Sequence, residues 1–124
     1  MGGDVLTYGH TKERAACLLR DYYNRAYSLF GSNYRPLCGN HDDNIIGNNN
    51  NSERYLSKEE IYSLVFKSME NYVPDKIKKE GTELYYYWDN FTQKIRYLAL
   101  DFGRNGWYSA QQLTWICDTI SNLE

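Results

Sequence analysis

The sequence predicts an all-α domain of four main helices. Two observations carry that expectation: apolar residues recur at three and four over long stretches, and Ser-x-x-acid/amide boxes open two of those stretches, which leaves almost no strand. The chain has 124 residues, enough for one compact domain with a real core and too few for two good ones, so residues 1–124 are read as one unit. Apolar residues make up 42% and aromatic residues 16%, which is too rich for a disordered chain.

The first helix runs from Thr11, a plausible N-cap, through Ala15, Leu18, Leu19, Tyr22, Tyr23, Ala26, Tyr27, Leu29 and Phe30, and Gly31 stops it. Residues 1–10 show no periodicity and are expected to fray. Residues 31–54 hold Pro36, three glycines and the run Asn48–Asn51, a polar tract that cannot offset the entropy of ordering it. They read as an irregular excursion from the surface. Cys38, His41, Asp42 and Asp43 within it lack any established metal-ligand spacing, so a solvated polar loop is the expectation there.

The second helix opens at Ser57, with Glu60 three places on to complete a capping box. It continues along Ile61, Leu64, Val65, Met69 and Tyr72 and ends at Pro74. Asp75 to Gly81 reads as a charged linker or one helical turn. A third helix from Thr82 places Leu84, Tyr87, Trp88, Phe91, Ile95, Leu98 and Phe102 on one broad stripe, with Tyr85, Tyr86 and Tyr97 on its other face. Ser109 to Gln112 repeats the capping box, and Leu113, Ile116, Cys117 and Ile120 form the stripe of the fourth helix.

Net charge is −2 with scattered basic residues, which gives no surface for polyphosphate; nucleic acid is not an expected partner despite thirteen tyrosines. Three cysteines without CxxC spacing, and no signal-peptide core before them, point to a reduced, cytoplasmic setting. No run approaches the ~18 apolar residues of a membrane span. Met1-Gly2-Gly3 invites myristoylation, but position 6 is Leu6 where that signal wants Ser or Thr. Catalysis is not expected, because the only histidines, His10 and His41, lie near no serine or cysteine nucleophile in a strand-turn-helix setting.

With these residues in place, the chain resembles the EF-hand, or calmodulin-like, superfamily. Ala26-Tyr-Ser-Leu-Phe30 looks like the end of a first entering helix. Tyr55-Leu-Ser57-Lys-Glu-Glu60-Ile61 looks like the end of its loop and the start of its exiting helix, so residues 31–54 would be a long insertion in that loop. A second hand would run from Thr82 to Leu123, although Gln93 and Arg96 stand where the family has apolar residues. Ligand positions 1, 3, 5, 9 and 12 of its loop hold Asp101, Gly103, Asn105, Ser109 and Gln112, leaving one carboxylate; Gly106 keeps the turn. The resemblance thus implies a vestigial loop, no bound metal and no cofactor.

It also implies a function. A calcium-independent pair of hands would grip an amphipathic helix of a larger protein, as light chains and regulatory subunits do, through groove candidates Leu29, Phe30, Phe66, Met69, Tyr87, Trp88, Phe91 and Trp115. The alternative is a small stand-alone inhibitor or immunity-type protein that occludes a partner's active site with a Tyr-rich surface.

Overall fold

Between Glu83 and Ala99, where a third helix was expected, the chain folds as a β-hairpin. The computed structural model describes residues 4–7, 9–44, 53–70, 78–80, 83–101 and 108–122, with backbone alone at 78–80 and 83. Four elements organise them: α1 (Lys12–Phe30), α2 (Lys58–Ile61), a sheet of β1 (Lys78–Glu80), β2 (Glu83–Asn90) and β3 (Ile95–Ala99), and α3 (Ala110–Ser121). The strand order is β1-β2-β3, antiparallel throughout, and the long β2 pairs with β1 along its first three residues and with β3 along its last five. The all-α, four-helix arrangement is therefore corrected to helices on a small antiparallel sheet. The entering helix that the resemblance implies for a second hand is this hairpin.

The physical reason lies in Leu84-Tyr-Tyr-Tyr-Trp88. Aromatic residues favour a pleated, half-buried surface, and when both faces of a strand are covered the apolar run shows no alternation. Leu84, Tyr86 and Trp88 turn toward the main core, while Tyr85 and Tyr87 turn to Trp115 of α3, with ring centroids at 4.7 and 6.2 Å. Asn90 makes the turn: its Oδ1 accepts the Gln93 N–H at 3.1 Å, and Lys94 takes a left-handed conformation, φ 54°, before β3 begins.

Helix α1 behaves as its pattern requires. Thr11 caps it by accepting the Arg14 N–H, and Gly31 ends it at φ 54°, a conformation that costs glycine nothing. Its buried face is Ala15, Leu19, Tyr23 and Ala26. Ser57 and Glu60 form the expected reciprocal capping box of α2. Past Ile61 the helix widens into a π turn, Tyr62–Phe66, and closes as a 3₁₀ turn, Lys67–Met69. The Tyr34 hydroxyl donates to the Val65 carbonyl at 2.9 Å within this distorted stretch. Val65, Phe66 and Met69 complete the core with Leu6, Leu56, Ile61, Tyr34 and the sheet residues Leu84, Tyr86 and Ala99.

Part of the expected polar excursion is built into the molecule. Asp42 is fully buried; its Oδ2 accepts the N–H groups of Asp4 and Gly39, and its Oδ1 accepts that of Leu6. The N-terminal segment is thereby held down, with Leu6 in the core, where fraying was expected. Asp4 crosses so close to Gly39 that a Cβ there would lie 2.2 Å from the Asp4 nitrogen, so only glycine fits. Asn44 Nδ2 bridges the carbonyls of His10 and Arg54 at 2.9 and 2.8 Å, bringing the two sides of the segment together. The expectations on Met1–Gly3, Asn48–Asn51, Tyr72, Pro74, the 75–77 linker and Gly81 lie outside the described residues; 78–80, also assigned to that linker, is β1. No described helix is long and apolar enough to cross a membrane.

Candidate functional site

The eight groove candidates do not share a groove. Phe66 and Met69 are buried in the core, while Leu29 and Phe30 stand exposed at the C-terminal end of α1. Tyr87 and Trp115 pack against each other between sheet and α3. Trp88 belongs to the other face of β2, and Phe91 sits in the hairpin turn, 83% exposed. The groove needed four helices around it, and a hairpin stands where one of its walls, the third helix, was expected.

What the fold does gather is an aromatic surface on the hairpin. Trp88 and Tyr97 are direct cross-strand partners, and their rings stack at 5.0 Å with only 8° between planes. The Arg35 guanidinium lies 5.4 Å from the centre of the Trp88 ring. Ile95 follows on the same face of β3, and Ile95, Tyr97 and Phe91 all keep large accessible areas. Phe91 and Ile95 also line, with Asp89, Asn90, Lys94, Arg96 and Asn122, an open cleft of about 540 Å³ between the hairpin tip and the end of α3.

Two of the three charged side chains lining the cleft, Asp89 and Arg96, pair with each other. Arg96 grips Asp89 with two nitrogens at 2.7 and 2.8 Å, donates a third bond to the Thr119 carbonyl at 2.8 Å, and lies 4.4 Å over the Tyr87 ring. The Asp89 carboxyl is held below its ordinary range chiefly by that guanidinium. Arg96 thus has a structural task where the family pattern has an apolar residue. Asn90 Nδ2 donates to Gln93 Oε1 at 2.8 Å, which fixes the turn that carries Phe91.

Three of the five expected loop positions, Asp101, Ser109 and Gln112, come together in a different role. Gln112 Oε1 accepts the Asp101 N–H at 3.0 Å and Gln112 Nε2 donates to the Asp101 carbonyl at 2.8 Å, a two-point clamp on backbone. The Asp101 carboxylate accepts the Leu84 N–H, and Ser109 caps α3 by accepting the Gln112 N–H. These oxygens hold the exit of β3 to the start of α3. Asn105, with Gly103 and Gly106, lies outside the described residues. Among the described residues no group of three His, Cys, Asp or Glu side chains could hold a metal ion.

Nor do the other polar candidates form a solvated loop. Burial pushes the Asp42 carboxyl above its ordinary range, and the N–H groups of Gly39, Leu6, Val5 and Asp4 draw it part of the way back. The Cys38 thiol is pushed well up by its apolar surroundings and then by Asp42, Asp101 and Asp43, which leaves it a poor nucleophile. His10 lies 3.4 Å from the Thr7 hydroxyl near the surface, and His41 Nε2 lies 3.5 Å from Asn40 Nδ2.

The hairpin surface escaped sequence reasoning because its residues were spread over two faces of a supposed helix. The adjacent Asn90 and Phe91 before a Gln and a Lys were the available turn signal. The chain matches no family model, no curated protein and no solved structure.

Proposed function

We propose that the chain is a non-catalytic protein-recognition module that meets its partner with the β2–β3 hairpin. The observation that carries this reading is the exposed set Phe91, Ile95 and Tyr97, backed by the stacked Trp88 and held on a hairpin framed by the Asp89–Arg96 pair. Aromatic residues and Arg dominate binding energy at protein interfaces. Tyr97, already held by its stack on Trp88, would lose little side-chain entropy on contact, while Phe91 offers apolar area at the tip.

A projecting hairpin with an open cleft beside it suits a folded partner better than an isolated amphipathic helix, which needs a groove between walls. The occluding, inhibitor-type reading is favoured over the light-chain reading by the position of Phe91 at the hairpin tip. The test is capture from extracts of the source organism with the native chain and with a Phe91→Ser, Tyr97→Ser double variant. Binding to a folded protein that the double variant loses supports the proposal; a partner retained by both, or one held equally well through an isolated helical peptide, contradicts it.

A further inference from the structure

On α3 the apolar stripe expected to enter the core faces outward. Inward the helix sends Gln112, Trp115 and Thr119, with Gln112 and Thr119 buried and the Gln112 side chain and the Thr119 carbonyl bonded to Asp101 and Arg96. Leu113, Cys117 and Ile120 are exposed and Ile116 is half-buried, at the i, i+3, i+4, i+7 spacing of one stripe. A helix that buries polar residues against its own sheet and leaves its aliphatic face exposed is, among the described residues, an unpartnered amphipathic element.

We infer that this face is the seam of a homodimer, in which α3 of one copy packs antiparallel on α3 of a second. The occupant follows from charge. From Ile116 through Ile120, Leu113 and Cys117 to Ala110, Ser121 and Thr114, roughly half the circumference of the helix carries no charged side chain. The Thr114 hydroxyl is turned back onto the Ala110 carbonyl at 3.0 Å, so that flank is quieter still. The one charged side chain of α3, Asp118, lies roughly 140° round from Leu113, out of reach of the seam.

A face with no charge gives a charged partner nothing to pair with, yet meets its own copy without repulsion, and the net charge of −2 adds little at long range. A two-fold axis between Ile116 and Cys117 sets Leu113 against Ile120 of the second copy and Ile116 against Cys117. The same contact is thus made twice, and the helix dipoles oppose. Two helices of twelve residues bury only roughly 600–800 Å² together, below the area of standard-size interfaces, so the contact is weak and reversible.

The seam does not depend on the hairpin reading, because it uses a different surface. Sedimentation velocity of the full chain under reducing conditions is the test, with far-UV circular dichroism confirming that each variant is folded. The native chain should move from one to two copies as concentration rises, and Leu113→Glu and Ile120→Lys should each stay monomeric, while Leu29→Lys on α1 should behave as native. Mixing Leu113→Glu with Ile120→Lys should restore association, since the antiparallel pair then has one ion pair and one intact Leu–Ile contact. A short bis-maleimide should join two copies through Cys117. A native chain that is monomeric throughout, association that survives both substitutions, or a mixture that stays monomeric would each overturn the seam.

Discussion

Residues 4–69 and residues 83–122 both bury polar side chains but differ in where those side chains act. In the first region charged and amide groups lie inside: Asp42 and Asn44 are buried and hold separate stretches of chain together, while Tyr23 and Tyr34 pack edge-on with their hydroxyls bonded to the Leu37 and Val65 carbonyls. In the second region the Asp89–Arg96 pair frames the hairpin close to the surface, and Phe91, Ile95, Tyr97, Leu113 and Ile120 remain exposed. The first region ties distant stretches of chain together from inside, whereas the second, apart from the buried Gln112 clamp, gathers its exposed apolar residues on the hairpin and one face of α3.

Substitutions should separate the two, beginning with the largest effect. Asp42→Ala would leave the buried Leu6 N–H and the partly buried N–H groups of Asp4 and Gly39 without their acceptor and cost about 3 kcal/mol, read as a lower urea midpoint. Gln112→Ala would free the Asp101 backbone at both its N–H and its carbonyl, costing about 2 kcal/mol by the same measurement. Tyr34→Phe would remove one buried hydrogen bond, about 1 kcal/mol.

Acid titration sharpens the contrast further. Asp89 has its folded pKa depressed below the ordinary 3.8 by Arg96, so its contribution of about 1 kcal/mol is present above that value and is lost as pH falls through the folded pKa. Asp42 has its pKa raised by burial, so its titration favours the fold most at low pH and loses ground as pH climbs through the raised value. In urea titrations across pH, Asp89→Asn should be weaker than native at neutrality and converge with it in acid. For Asp42→Asn the gap to native should instead widen toward acid. Smallest of all, Phe91→Ser should change stability by less than about 0.5 kcal/mol, because the side chain has almost nothing to pack on.

Local signals were the legible ones. Thr11, Ser57 and Ser109 cap the helices they open and Gly31 closes α1, because capping depends only on residues within one turn. The β-hairpin was not legible for the same reason in reverse. Leu84, Trp88, Phe91 and Ile95 fall at helical spacing by chance, and only the tertiary covering of both faces of β2 decides that Leu84, Tyr86 and Trp88 belong together. Asp42 was hidden because its partners lie 36 and 38 residues away in sequence. At the candidate site, Trp88 and Phe91 were picked out by residue type, but Ile95, Tyr97 and the Asp89–Arg96 frame needed the strand register.

The most direct measurement on the central claim is binding of the captured partner to the native chain and to the Phe91→Ser, Tyr97→Ser variant, with a urea midpoint taken for each. The hairpin reading predicts a loss of binding of tenfold or more, about 1.4 kcal/mol, in a chain that still folds, its midpoint lowered by the equivalent of about 1 kcal/mol for the lost Trp88–Tyr97 stack. Equal affinity for both chains would place recognition elsewhere and contradict it.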